Sequence, residues 1–102
     1  MKQIEFRGIA VEYDERCTRS YRWQKAMNSG DSARVTKAVT RIFAGKDDYY
    51  AYALSVSDPL DYDEWKKERK GKDELDELDD SMDAMYELLA AVLEDAGQIA
   101  KN

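Results

Sequence analysis

The sequence predicts a mainly α-helical domain: an N-terminal β-hairpin packed on a small bundle of about four helices, the last of them long. Three observations lead there. Apolar and polar residues alternate on both sides of Arg7-Gly8, which is the strand period of two. Capping residues and glycines divide residues 15–57 into three short stretches of helical spacing. Leu75, Leu78, Met82, Met85, Leu89, Val92, Ala96 and Ile99 then recur at intervals of three and four without a slip. That is the stripe of a helix packed along its length.

The hairpin occupies residues 1–14. With Arg7-Gly8 as a two-residue turn, Phe6 faces Ile9, Ile4 faces Val11 and Lys2 faces Tyr13. Ile4, Phe6, Ile9, Val11 and Tyr13 then share one side, and Gln3, Glu5, Ala10 and Glu12 the other. An isolated hairpin is marginal in water, so its apolar side must lie on helices. The first helix is expected from Glu15 to Met27, where Asn28-Ser29-Gly30 stops it. Asp31 or Ser32 caps the second, in which Val35, Ala38, Val39 and Ile42 share a face and Gly45 suits the C-terminal cap. Asp47 opens the third, "DDYYAYALSV", and Asp58-Pro59 ends it. Residues 58–74 read as an acidic charged connector with few apolar anchors. Residues 75–100 read as one long amphipathic helix.

At 102 residues the chain is long enough for one domain with a modest core. It is charge-rich, 37% Asp, Glu, Lys and Arg, with a mean hydropathy of -0.78. No apolar run reaches the length of a membrane span, and "MKQIEFRGIAVEY" lacks the apolar block of a signal peptide, so a cytoplasmic protein is expected. Charge is unevenly distributed. Residues 1–46 hold ten basic and five acidic residues, net +5, whereas residues 47–102 hold six basic and seventeen acidic, net -11. A basic front and an acidic back favour attraction between copies, so self-association is expected, head to tail.

Catalytic chemistry finds little purchase. The absence of histidine removes the commonest general base and the commonest metal ligand together. Cys17 stands beside Arg16 and Arg19, which favour its thiolate, but has no histidine to pair with. "DPLDYDE" fails as a calcium loop, because the sixth and twelfth positions from Asp58 hold Asp63 and Arg69. The helix pair around Gly45-Lys46 resembles a helix-turn-helix, yet its second helix opens on Asp47-Asp48, which repels phosphate. No enzyme activity, cofactor, metal, nucleic acid or membrane is therefore expected.

The C-terminal stripe points instead to a protein partner. Twenty-five helical residues extend about 37 Å, whereas the rest of the chain compacts to a diameter of roughly 30 Å. The expected overhang exposes the start of the helix, including two methionines of the adaptable kind found at binding surfaces. The partner-binding residues on this reading are Leu75, Leu78, Met82, Met85, Tyr86 and Leu89, joined by the aromatics Tyr49, Tyr50 and Trp65.

Three stretches resemble a known family. "RSYRWQKA" (Arg19 to Ala26) after an N-terminal hairpin, "IFAGKDDYYAYAL" (Ile42 to Leu54) and "MDAMYELLAAVLEDAGQIAKN" (Met82 to Asn102) are similar, in that order, to the tail assembly chaperones of long-tailed bacteriophages and prophages. The resemblance covers both ends of the chain and leaves out the connector, which is longer and more acidic here than the family pattern. It implies a non-enzymatic protein of the infected host's cytoplasm, absent from the mature virion. Such a protein binds the tape-measure protein and helps tail-tube subunits assemble around it. It also implies that "AKN" ends the short form of a frameshifted pair. The alternative reading is a small acidic regulatory protein, an anti-repressor or DNA mimic acting by protein contact, whose carboxylates imitate phosphates.

Overall fold

The computed structural model describes residues 1–97. Strands β1 (Lys2–Phe6) and β2 (Ile9–Tyr13) pair antiparallel in the expected register, Lys2 with Tyr13, Ile4 with Val11 and Phe6 with Ile9. Arg7 and Gly8 both take positive φ, 51° and 82°. That gives the turn the twist that matches its strands. The apolar side faces inward: Val11 and Tyr13 are fully buried, and Ile4, Phe6 and Ile9 pack at the edge of the core.

A 3-10 turn (Cys17–Arg19) and helix α1 (Tyr21–Met27) replace the single helix expected over 15–27. The division falls at Ser20, whose extended backbone (ψ 123°) cannot continue a helix and whose hydroxyl accepts the Trp23 amide. Helix α2 (Ser32–Ile42) is capped by Asp31, whose side chain accepts the Ala33 and Arg34 amides. At its far end the Gly45 amide donates to Thr40 O (2.9 Å) and the Ala44 amide to Arg41 O (3.2 Å). This is a Schellman ending in which Ala44, at φ 53°, holds the left-handed position usually given to glycine. Helix α3 (Asp47–Ala53) follows after four linking residues, 43–46.

The acidic connector contains a helix, α4 (Tyr62–Arg69). Asp61 caps it through the Glu64 amide, Asp63 and Glu64 lie in its first turn, and Lys66, Lys67 and Arg69 lie in its last. Every one of those charges is placed to favour the helix dipole. The sequence reading missed it because Tyr62 and Trp65 are its only large apolar anchors.

The long C-terminal helix is shorter than expected. Helix α5 (Met82–Asp95) has 14 residues, about 21 Å at 1.5 Å per residue. Ser81 starts it: its backbone is extended (φ -135°, ψ 125°) and its side chain accepts the Ala84 amide. Leu75 and Leu78 precede this cap and stand outside the helix, 73% and 77% exposed. The molecule measures 36 Å along its longest axis, so α5 fits within the body and has no overhang. Its buried line is Ala84, Leu88 and Val92: Val92 belongs to the predicted stripe, whereas Ala84 and Leu88 each stand one residue before the stripe's Met85 and Leu89. Met85, Leu89 and Ala96 of that stripe pack beside this line, Met82 faces outward, and Ile99 lies outside the described residues.

The core sits between the hairpin and the helices, with Tyr13, Phe43, Ile42, Leu88, Val11 and Val92 fully enclosed. Helix α5 packs on β1 and α3, and α1 packs on α2. Trp23 fastens the latter pair by donating its indole N–H to Ala38 O (2.9 Å). Helix α5 is pinned to the hairpin near its middle and at its C-terminal end. Arg7 of the turn pairs with Glu87, while the Tyr13 hydroxyl donates to Asp95 Oδ2 (2.6 Å), which also lies 3.3 Å from Lys2 Nζ. Burial, then the hydrogen bond and charge of Asp95, raises the Tyr13 phenol well above the usual range.

Asp14 supplies the other tie. It is 4% exposed, and its amide donates to Ile42 O at the end of α2 (2.8 Å). Its carboxylate accepts from the Arg16 side chain (2.7 and 3.0 Å), the Arg16 amide (3.1 Å) and Arg41 Nη1 (3.0 Å). Chiefly because of the Arg16 side chain, the carboxyl is held well below the usual carboxylate range. A depressed carboxyl stabilises the fold fully above its unfolded value, and that contribution is lost as the pH falls through the folded value. Asp14→Asn should therefore lower stability by about 2 kcal/mol at neutral pH and flatten the acid limb of the stability curve below about pH 4. Urea unfolding between pH 7 and pH 2 measures both; an unchanged acid limb contradicts the assignment.

Candidate functional site

The residues singled out from the sequence separate into three groups. Tyr50 belongs to the core: it is 2% exposed, its ring meets Phe43 edge-on at 5.6 Å, and its hydroxyl accepts the Glu12 amide (3.1 Å). It therefore offers no surface to a partner, a correction to the sequence reading. Met85 and Leu89 are half-buried against the core. The remainder lie on two adjoining surfaces, an aromatic shelf and an exposed apolar segment.

The shelf is made where α4 docks on α3. Tyr49 stands edge-on to Tyr62 and to Trp65 at 5.4 Å each, and Tyr62 stacks on Trp65 at 6.1 Å. Such ring pairs add about 0.5–1.5 kcal/mol each beyond area burial. The loop between the helices is held by the same rings: Tyr49 donates its hydroxyl to Leu60 O (2.8 Å), and the Leu60 amide donates to the Tyr52 hydroxyl (3.0 Å). Burial, then the charge of Asp61, pushes the Tyr49 phenol up. Cations cover the outside, with Arg69 over Trp65 at 4.9 Å and Lys46 over Tyr62 at 4.8 Å. Tyr49 and Trp65 thus serve first to hold α4. Tyr62 and Arg69, which sequence reasoning passed over, belong with them; the aromatic pair Tyr62 and Trp65 at i, i+3 was the available signal.

The exposed segment leads from this shelf into α5. Arg69 anchors it, with Asp79 Oδ1 at 2.7 Å and Glu77 at 3.8 Å, and Lys72 pairs with Glu77 at 3.0 Å. A cleft of about 250 Å³ lies between α4 and the segment, bordered by Trp65, Arg69, Leu75, Leu78 and Asp48. The Trp65 indole N–H and Arg69 Nε, both buried, make no hydrogen bond among the described residues. Burial, then the charges of Asp47, Glu74 and Asp80, raises the Asp48 carboxyl. Beyond the cleft, Leu75, Leu78, Met82 and Tyr86 are 73%, 77%, 67% and 62% exposed. Met82 and Tyr86, four residues apart, share one face of α5.

Elsewhere the chemistry is quiet. Cys17 is buried, and burial pushes its thiol up although Arg41 and Arg16 pull the other way. The thiolate-favouring effect expected from the neighbouring arginines is therefore outweighed. Among the described residues no three His, Cys, Asp or Glu side chains are grouped to hold a metal ion, and no helix is long and apolar enough to cross a membrane.

Comparison of the chain with protein-family models, with curated proteins and with solved structures finds no match to any of them. The arrangement of the site stands on its own residues.

Trp65→Ala removes the ring shared by Tyr49, Tyr62 and Arg69. It should loosen α4 and the segment after it while leaving the hairpin core folded. Limited tryptic cleavage after Lys70 and Lys72 should accelerate at least about tenfold, as expected for a locally opened unit. Global unfolding of the variant would show that α4 is part of the main cooperative unit instead.

Proposed function

We propose that the chain is a non-enzymatic tail assembly chaperone whose client is the tape-measure protein, with tail-tube subunits assembling around that client. The observation that carries the reading is the apolar segment. Of the six large hydrophobic side chains exposed among the described residues, Leu75, Leu78, Met82 and Tyr86 fall within one stretch, on a chain that is otherwise rich in charge. Scattered exposed apolar residues are ordinary, whereas a concentration marks a contact surface. A long amphipathic client needs such a surface, unbranched side chains that adapt to it, and enough surrounding charge to keep the pair soluble. The family resemblance in the sequence supports the same assignment. On this reading the protein works in the host cytoplasm and leaves before the virion matures.

The acidic regulatory alternative rests on a different feature. Asp73, Glu74, Asp76 and Asp80 are exposed and make no ion pair among the described residues, as a mimic of DNA phosphates requires.

Co-expression with the tape-measure protein of the same genome tests the proposal. The wild-type chain should raise the client's soluble fraction several-fold, and Met82→Asp with Tyr86→Asp should abolish the rise. Both positions face solvent, so thermal unfolding of the double variant should match the wild type. An unchanged client solubility with the wild type, or capture of a nucleic-acid-binding protein through the carboxylates of 73–80, would refute it.

A further inference from the structure

One groove of the molecule plays no part in the surface described above. It lies between the 3-10 turn, α1 and α2, with a volume of about 740 Å³. Its floor is apolar, made by Trp23, Ala26 and Ala38. Its rim is cationic: Arg22, Arg34 and Lys37 are exposed and, among the described residues, make no ion pair, and none of the described side chains lining it is acidic. Arg16 and Arg41 close one end, each sharing its charge with Asp14 while remaining 81% and 56% exposed at the side chain. The groove thus asks for an anionic ligand that also carries apolar side chains.

The chain itself contains a segment of that composition. "DELDELDD" (residues 73–80) holds six carboxylates and no base, with Leu75 and Leu78 between them. Both leucines are largely exposed, and among the described residues the carboxylates of Asp73, Glu74, Asp76 and Asp80 have no cationic partner. Six carboxylates within eight residues also repel one another. A cationic neighbour relieves that repulsion, and an apolar floor removes the two leucines from water, at about 25 cal/mol per Å² of area covered.

We propose that the groove of one copy receives residues 73–80 of a second copy, with Leu75 and Leu78 on the floor made by Trp23, Ala26 and Ala38 and the carboxylates against Arg22, Arg34 and Lys37. Groove and segment are different surfaces, so the contact is heterologous, and one copy can give and receive at once. The basic front and acidic back of the sequence acquire a specific meeting point. Because the contact joins exposed charges, it weakens as salt shortens the screening length from about 10 Å at 0.1 M to about 3 Å at 1 M. The contact shares Leu75 and Leu78 with the proposed client surface, so a client and a second copy compete for them; because association is measured on the chain alone, its failure is distinguishable from failure of the client reading.

Sedimentation velocity of the full-length chain tests it with two variants, Arg34→Glu/Lys37→Glu in the groove and Leu75→Ser/Leu78→Ser in the segment. All four positions are exposed, and circular dichroism and urea midpoints verify that both variants fold. The wild type should associate at low salt and dissociate at high salt. Each variant alone should sediment as a monomer, with apparent affinity reduced at least about tenfold. An equimolar mixture of the two should recover a one-to-one complex and nothing larger, because the segment variant retains an intact groove and the groove variant an intact segment. A mixture that stays monomeric, a single variant that associates like the wild type, or a wild type monomeric at low salt would each overturn the proposal. So would a short single-stranded oligonucleotide that binds the groove of a chain remaining monomeric.

Discussion

Tyr13, the last residue of β2, and Asp14, which follows it, hold this molecule together by reaching two different helices. Tyr13 reaches α5 through Asp95, and Asp14 reaches α2 through Ile42 O and Arg41. A two-stranded hairpin has too little surface to be stable alone; here its last two residues clamp it between two helices. Both ties involve buried polar groups, whose loss costs more than their formation contributes. Asp95 also illustrates how the tie sets local structure. A carboxylate in the last turn of a helix opposes the dipole, and the Tyr13 hydroxyl with Lys2 offsets that opposition.

The tie fixes where the rest of the chain can go. With α5 held to the hairpin by Arg7–Glu87 near its middle and by Asp95 at its C-terminal end, its buried line of Ala84, Leu88 and Val92 meets the core. Met82 and Tyr86 are turned to solvent. Residues 73–80 must then run across the outside from α4, where Arg69 holds Asp79 and Glu77. The exposed apolar segment is therefore a consequence of core packing elsewhere. A surface so placed can bind without disturbing the fold, which is what a chaperone of the proposed kind requires.

The parts of this architecture that were legible in the sequence are those governed by local periodicity and caps. The hairpin register follows from the strand period around Arg7-Gly8, and both residues adopt the positive φ the turn demands. Asp31 caps α2 as its position suggested. The errors came from reading apolar spacing across a cap. Leu75 and Leu78 continue the rhythm of α5, but Ser81 accepts the Ala84 amide and starts the helix there. A run of carboxylates before it supplies no anchor that would extend it. In α4 the opposite happened: few apolar residues concealed a helix that rings and end charges sustain. Tyr50 looked like a surface aromatic because its spacing was shared with Tyr49, and only the packing of Phe43 and Glu12 separates them. The Asp14 tie joins residues 27 apart in the chain, a distance over which no local pattern reports.

The most direct test of the account is native-state hydrogen exchange at the Asp14 amide, which donates to Ile42 O at 2.8 Å. If the junction after β2 holds the hairpin and α2 as one unit, this amide exchanges only through global unfolding, with the same free energy as the Val11 and Ile42 amides. Exchange through a local opening, at a free energy close to that of the 73–80 segment, would contradict it.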